Sequence, residues 1–295
     1  MTKVAIAQAG TYLLDNARTL EQMRELARDA ATQQCDVILF PEAYVGGYPK
    51  YMDFGTIIGT RSTKGRELFA EYASSAMTIA QADIQIAECA QQAGITIITG
   101  FIERDDLTLY CSVVAYNTEG ERIGHRRKLM PTAQERVIWG QGESVGSPFD
   151  TVAGRVGALI CWESYMPLAR MSMYQQGIEL YAAPTVDDRD GWQHTMRHIA
   201  REGCCFVLSA CQYMTRDHVP EHWKEYVHDS QSDVLIRGGS CIVHPMGHYI
   251  TEPIYGEKTV IVADIDLRER LHAGYDLDVT GHYSRPDIFS FAWKL

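Results

Sequence analysis

Short apolar runs alternate along this chain with longer segments in which apolar residues recur every three or four positions. The runs predict strands that are buried on both faces, at residues 4–9, 35–40, 95–99, 112–116, 156–160, 178–183, 206–211, 241–243 and 259–265. The longer segments predict helices at about 20–30, 67–92, 167–176 and 192–202. Strands that alternate with helices indicate an α/β fold, and since no linker interrupts them we expect one domain over residues 1–295.

Three segments carry side chains that can do chemistry. Glu42 follows the run that ends at Phe40, and Cys161 follows the run that ends at Ile160. A basic segment, His125-Arg126-Arg127-Lys128, lies between them in the chain and ends in a lysine. The carboxyl ends of strands in α/β sheets face a crevice, so side chains at such ends are candidates for a functional site.

A cysteine, a glutamate and a lysine together suit acyl transfer. A thiol attacks only after it loses its proton, which a carboxylate can accept, and an ammonium can stabilise the charge that forms on the attacked group. Each residue also has an ordinary interpretation: Glu42 as a solvated loop residue, Lys128 as surface charge and Cys161 as part of the core. A cysteine–histidine pair stays open as an alternative, although none of the ten histidines is singled out as its base.

The other histidines and cysteines have simpler interpretations. His194 and His198 are four residues apart on a predicted helix, but no third ligand and no His-Glu-x-x-His pattern accompanies them, so we expect no metal site. Eight cysteines without a Cys-x-x-Cys pair indicate free thiols in a reducing compartment. Apart from Cys161, these cysteines are interpreted as small packing residues.

Composition and charge exclude several partners. The chain has 38 acidic and 27 basic residues, and its net charge of −11 leaves no basic face for nucleic acid or an anionic membrane. No window holds the ~18 uninterrupted apolar residues that a membrane helix needs. The first apolar stretch is interrupted by Gln8 and lacks a small-residue cleavage site, so it predicts a strand rather than a signal peptide. We expect a soluble, cytoplasmic protein.

The same three segments resemble the signature blocks of the nitrilase superfamily of carbon-nitrogen hydrolases, in the order of that family. The blocks are ILFPE at 38–42, HRRKLMPTAQERVIWGQG at 125–142 and GALICWESYMPLAR at 157–170. The similarity continues through APT at 183–185, WQHTMRHIAREG at 192–203, RGGS at 237–240 and GHYSRPDIF at 281–289. It therefore covers nearly the whole chain.

The resemblance implies a role for each of four residues. Cys161 is similar to the family nucleophile, Glu42 to its general base and Lys128 to the cation that stabilises the tetrahedral intermediate. Glu135 is similar to a second family glutamate, which orients the lysine and the substrate and assists proton transfer. The reaction implied needs no metal and no organic cofactor.

Three neighbouring residues complete the expected site. Tyr48 and Trp162 flank the residues named above and are expected to line an apolar substrate pocket. Glu163 is a rival carboxylate two positions after Cys161. Because the side chains around a strand end point in different directions, we assign Glu163 a structural role.

The blocks are similar to those of true nitrilases rather than to those of aliphatic amidases, carbamoylases or biotinidase-like members. One departure lies at 142–147, GESVGS, where nitrilases commonly have Gly-Asp-Gly-Ser. The resemblance implies a four-layer α-β-β-α sandwich, a homodimer or higher homo-oligomer, and hydrolysis of a small organic nitrile to its carboxylic acid and ammonia. An amidase or N-carbamoyl hydrolase with the same residues, and a catalytically silent scaffold protein, stay open as alternatives.

Overall fold

The computed structural model describes residues 1–228 and 232–294. The strands are β1 (Thr2–Gln8), β2 (Val37–Leu39), β3 (Thr56–Ile57), β4 (Thr60–Arg61), β5 (Thr96–Asp105), β6 (Thr108–Tyr116), β7 (Arg122–Arg127), β8 (Phe149–Thr151), β9 (Gly154–Ala158), β10 (Leu180–Thr185), β11 (Phe206–Cys211), β12 (Tyr213–Thr215), β13 (Val234–Val243), β14 (Tyr249–Tyr255) and β15 (Thr259–Ile265). The α-helices are α1 (Asn16–Thr32), α2 (Thr63–Ser75), α3 (Ile79–Ala93), α4 (Pro167–Gln175), α5 (Asp190–Gly203) and α6 (Glu269–Asp276).

Two mixed sheets contain most of the strands. The first has the order β15-β1-β2-β5-β6-β7, and the second has the order β12-β13-β11-β10-β9-β8, with β14 beside β13. In the first sheet β1, β2 and β5 are parallel, and β7 runs in the same direction because two antiparallel pairings separate it from β5. In the second sheet β9, β10 and β11 are parallel. The segments after β2 and β7 therefore start at one edge of the first sheet.

Each sheet has helices on its outer face and the other sheet on its inner face. In β1, Val4 and Ile6 belong to the core between the sheets, whereas Ala5 and Ala7 belong to the core beneath α1 and α3. Strand β10 alternates in the same way between the central core and the core beneath α4 and α5. Burial of both faces explains why these runs are apolar without alternation. The layers follow the predicted order α-β-β-α.

The helical region predicted at 67–92 contains two helices, α2 and α3, with a break between them. Thr78 caps α3: its hydroxyl accepts the backbone N–H of Gln81, and the Gln81 side chain accepts the backbone N–H of Thr78. Met77, just before the cap, exchanges backbone hydrogen bonds with Ile102 and Arg104 of β5. The segment between α2 and α3 is therefore hydrogen-bonded to β5. The spacing of apolar residues in the sequence does not indicate these hydrogen bonds.

Gly100 and Pro184 are two special backbone positions near the edge where the site forms. A Cβ atom on Gly100 of β5 would lie 2.7 Å from the Cα atom of Glu42, so the glycine lets the loop after β2 lie directly on β5. Pro184 lies inside β10, although the prediction ended that strand just before the proline. It is tolerated because β10 pairs with β9 only as far as Ala182, so no hydrogen bond to β9 is lost.

Candidate active site

Glu42, Lys128 and Glu135 form a buried ionic cluster. The Nζ atom of Lys128 donates to Oε1 of Glu42 at 2.6 Å and to Oε2 of Glu135 at 2.8 Å. Glu135 also accepts the backbone N–H of Thr132 at 2.6 Å and the hydroxyl of Tyr48 at 2.8 Å. The side chains of Glu42 and Lys128 have no exposed surface. The cluster fixes the ammonium between two carboxylates in a region that excludes water.

Cys161 begins the turn that follows β9. Its φ angle is +49°, in the left-handed region that residues with a Cβ atom rarely adopt. Thr185, the last residue of the neighbouring β10, donates its hydroxyl to the Sγ atom of Cys161 at 3.2 Å. The residue is only 4% exposed. The apolar run at 156–160 thus provides a rigid strand that supports a strained turn. This turn holds the thiol of Cys161 at the edge of the sheet.

Glu163 and Arg126 hold this turn in place. Arg126 donates to both carboxylate oxygens of Glu163, at 2.7 and 2.5 Å, and both side chains are buried. The Glu163 carboxylate also accepts the backbone N–H of Ile160 at 2.6 Å and of Leu129 at 2.5 Å. Since Ile160 precedes Cys161 and Leu129 follows Lys128, one carboxylate connects the two segments. These contacts agree with the structural role assigned to Glu163.

The basic segment forms β7 and the residue after it, and its side chains alternate between two surroundings. Arg126 and Lys128 are buried, whereas His125 and Arg127 lie on the other side, 2.7 and 2.6 Å from the carboxylate of Glu103 on β5. This alternation is the period of a strand. The ordinary interpretation of Lys128 as surface charge is therefore wrong, because the strand directs that side chain inward.

Burial and charge shift the titration of the clustered groups. Burial raises the pKa of Glu42 and the charge of Glu135 raises it further, whereas Lys128 opposes both. Burial acts to lower the pKa of Lys128, but the Glu42 and Glu135 charges outweigh it and raise that pKa well above its usual value. Burial and the Glu42 charge raise the pKa of the Cys161 thiol. The resting site therefore holds a protonated thiol, which must lose its proton as it attacks.

Cys161 and Glu135 line a cavity of about 340 Å³, large enough for a small organic molecule. Tyr48 and Trp162, the two residues predicted to line the pocket, are both part of its wall. Trp162 is 39% exposed, and its indole N–H donates to Asp187 at 2.8 Å. The wall is more polar than expected, because charged side chains share it with the aromatic rings, namely Lys50, Asp187, Asp188 and Arg189.

Three residues that contact Glu42 or Cys161 directly were not predicted from the sequence. They are Thr185, described above, and Cys111 and Gln212, which both contact Glu42. The Sγ atom of Cys111 lies 3.6 Å from Oε1 of Glu42, and the Gln212 side chain donates to the Glu42 carbonyl oxygen at 2.8 Å. Thr185 ends one parallel strand and Gln212 follows another, so their positions were a usable signal. Cys111 was interpreted as a packing residue, which describes its burial but not its neighbour.

The other histidines and cysteines were considered as metal ligands or packing residues. Within residues 1–228 and 232–294, no group of three or more His, Cys, Asp or Glu side chains is arranged to hold a metal ion. His198 instead lies 3.4 Å from Glu202, one turn further along α5. All eight cysteines lie in these ranges and are free thiols. None of the helices in the described part of the chain combines the length and apolar character needed to cross a membrane.

A thiol at the pocket, with a buried ammonium and a buried carboxylate connected to the pocket wall through Glu135, provides the groups that hydrolysis through a covalent thiol adduct requires. Comparison with known proteins agrees with that chemistry. Residues 3–271 match the carbon-nitrogen hydrolase family, and the chain belongs to that family. A carbon-nitrogen hydrolase from Helicobacter pylori G27 has the same fold, with a TM-score of 0.76 at 16% identity over 97% of this chain and 96% of that chain.

Relatives of higher identity place the chain in the nitrilase branch of the family. It is 47% identical to an aliphatic nitrilase of Sinorhizobium fredii (strain HH103), over 98% of this chain and 95% of the relative. It is 42% identical to a bifunctional nitrilase/nitrile hydratase of Lupinus angustifolius, over 99% of this chain and 86% of the relative. The family and the branch expected from the signature blocks are confirmed.

Proposed function

We propose that this protein is a nitrilase that converts an organic nitrile into the carboxylic acid and ammonia through a covalent intermediate on Cys161. The proposal rests on the cluster at the strand ends, in which Lys128 donates hydrogen bonds to Glu42 and Glu135. Cys161 and Glu135 line the same pocket. The similarity to nitrilases over almost the full chain supports the choice of a nitrile as substrate.

The first half of the reaction forms a thioimidate. Glu42 accepts the thiol proton as the Sγ atom of Cys161 attacks the nitrile carbon, and the proton passes to the nitrile nitrogen. Lys128 stabilises the negative charge that forms on that nitrogen during the attack. Because its pKa is raised, the thiol of Cys161 keeps its proton in the resting enzyme. It transfers the proton to Glu42 only as the sulfur attacks the substrate.

The second half releases ammonia and then the acid. Glu42 takes a proton from water as the water oxygen adds to the thioimidate carbon and passes it to the nitrogen, which gives a tetrahedral intermediate with a hydroxyl and an amino group. The hydroxyl proton then passes to the amino nitrogen, the C–N bond breaks as the C=O bond forms, and ammonia leaves a thioester on Cys161. A second water cleaves the thioester to the carboxylic acid and restores the thiol. Glu135 holds the ammonium of Lys128 in place throughout.

The tetrahedral intermediate also has a second exit. If its C–S bond breaks before its C–N bond, the thiol leaves and the product is the amide. The relative from Lupinus angustifolius, named for both nitrilase and nitrile hydratase activities, supports some amide release by this chain as well. An amidase would use the same groups on a carbonyl carbon, so turnover of matched nitriles and amides distinguishes the two activities.

Ammonia release from a panel of aliphatic, aromatic and arylacetonitriles, each beside its matching amide, tests the proposal. We expect turnover of at least one nitrile with the acid as the main product. Turnover of amides alone would assign the chain to the amidases. Failure to turn over either class would favour the scaffold alternative. The polar residues in the pocket wall make nitriles with a polar substituent a useful addition to the panel.

Loss of the proposed base should reduce turnover strongly. Glu42→Gln keeps the size of the side chain but cannot accept a proton, so we expect kcat to fall by at least about 100-fold. Lys128→Met removes the charge that stabilises the intermediate and should lower kcat by a similar factor. The control is Glu119→Gln on an exposed turn, which should leave kcat unchanged. Full activity of Glu42→Gln would show that another group is the base.

The pH dependence of kcat/KM should report the raised pKa of Glu42. A general base works when deprotonated, so activity is present above its pKa and is lost as the pH falls through it. Because burial raises the pKa of Glu42, we expect the acid limb of the profile above the ordinary glutamate value. An acid limb at or below that value would contradict the surroundings described for Glu42. The measurement is kcat/KM for one nitrile from acid to neutral pH.

We propose in addition that the protein works in the cytoplasm as a homodimer or higher homo-oligomer. Free cysteines are typical of a reducing compartment. The excess of acidic residues disfavours an anionic partner. Exposed apolar side chains at the start of α4, including Leu168 at 68% exposure, support association through that helix. Sedimentation of the purified protein measures the number of subunits.

A further inference from the structure

The two carboxylate oxygens of Glu42 have different surroundings. Oε1 accepts a hydrogen bond from Nζ of Lys128 at 2.6 Å and from Sγ of Cys111 at 3.6 Å. Oε2 is buried and has no hydrogen-bond partner within the residues that the structure describes. Since buried carboxylate oxygens are normally satisfied, Oε2 is the atom that is free to accept a proton from a reacting group.

Cys111 reaches this position from β6, next to β7. Its carbonyl oxygen accepts the backbone N–H of Lys128 at 2.8 Å, so the same residue contacts both the lysine and the glutamate. The thiol is fully buried. Burial and the Glu42 charge raise the pKa of Cys111 well above its usual value, so the sulfur keeps its proton and can donate it to the carboxylate.

We propose that Cys111 is a positioning residue for the reaction: together with Lys128 it holds Oε1 of Glu42, so that Oε2 is the atom that takes the proton from Cys161. The inference rests on the proposed function, in which Glu42 is the base. Without the thiol, Lys128 alone would hold the carboxylate, which could then rotate about its last bond and exchange its two oxygens. Fewer molecules would present Oε2 in the productive orientation at any moment.

Other titratable groups also face Glu42 and must be kept constant in a test. They are Lys128, Glu135, Cys161, Tyr48 and Tyr72, each of which acts electrostatically on Glu42 or is affected by its charge. None of them is changed by a substitution at Cys111. Removing the thiol donor therefore alters one hydrogen bond to the charged form of Glu42, which should raise the pKa of that carboxyl.

The experiment compares four variants with the wild-type protein. Cys111→Ala and Cys111→Val remove the donor, and the valine fills the volume of the thiol should the alanine variant unfold. Cys111→Ser keeps a donor. Cys205→Ala is the control, because Cys205 is equally buried but lies in the core beneath α4 and α5. Two experiments are run against pH: the rate of Cys161 alkylation by iodoacetamide, followed by peptide mass spectrometry, and steady-state kinetics with a nitrile, which give kcat and KM.

In the alanine and valine variants we expect the acid limb of both profiles to move to higher pH by roughly half to one unit. We also expect kcat to fall about tenfold with KM unchanged, and Cys111→Ser to restore most of both effects. Wild-type profiles for the alanine and valine variants, or an equal shift in Cys205→Ala, would overturn the inference. Alkylation needs no nitrile turnover, so it still decides the role of Cys111 if the proposed function fails.

Discussion

Cys161→Ala is expected to lower nitrile turnover by on the order of 10⁵- to 10⁶-fold, the loss seen when a covalent nucleophile is removed. The thiol of Cys161 is the pocket group that forms the proposed thioimidate, and the variant leaves Glu42, Lys128 and Glu135 unchanged. The small volume change and the unchanged φ angle of the turn leave the fold intact. The measurement is ammonia release at saturating nitrile, with thermal unfolding to verify the fold.

Cys205→Ala supplies the matched control for this variant. Cys205 is also buried, but it packs away from the pocket, so its loss should leave turnover near the wild-type rate. If Cys161→Ala retained even a hundredth of the wild-type activity, a nucleophile other than this thiol would have to be sought. If both variants lost activity equally, the effect would be one of packing.

Arg126→Met is expected to lower both the stability and the activity of the protein. It leaves the Glu163 carboxylate buried without its cation, and breaking a buried pair in this way costs about 3–5 kcal/mol. In a chain of this length that corresponds to a fall in Tm of roughly 5–8 °C. Because Glu163 also holds Ile160 and Leu129, we expect kcat to fall at least about tenfold as the turn carrying Cys161 loosens. Calorimetry and steady-state kinetics measure the two effects.

A double-mutant cycle measures the interaction free energy between Arg126 and Glu163 separately from the other contacts of each residue. Arg126→Met combined with Glu163→Gln leaves no lone buried charge and retains an acceptor for a backbone N–H, so it should recover part of the lost stability. Arg155→Met, which breaks the exposed pair with Asp150, should change stability far less than Arg126→Met does. Wild-type stability and activity of Arg126→Met would show that the pair does not hold the site.

The strands that build the site were predictable because both of their faces are buried. Val4 and Ile6 lie on one side of β1 and Ala5 and Ala7 on the other, which leaves a continuous apolar run in the sequence. The order of the four layers came from the resemblance to a family, since alternating strands and helices fit several arrangements. The break before Thr78 could not be seen, because it depends on hydrogen bonds to β5.

The candidate site was predicted where its residues follow strand ends and missed where contacts cross between strands. Glu42 and Cys161 follow apolar runs, so their positions were informative even before the resemblance was considered. Cys111 is 69 residues from Glu42 in the chain, and Arg126 is 37 residues from Glu163. Such contacts form when strands pair and sheets pack, and no local sequence pattern predicts them.

The covalent intermediate on Cys161 is tested most directly by the mass of the peptide containing this residue after wild-type protein is mixed rapidly with a nitrile and quenched in acid. During the first turnovers we expect an increment on Cys161 equal to the mass of the nitrile for the thioimidate, or to the mass of the acyl group less one hydrogen for the thioester. The increment should disappear once the substrate is consumed. Release of acid and ammonia with no increment on Cys161, or with the increment on another residue, would contradict a covalent intermediate on this thiol.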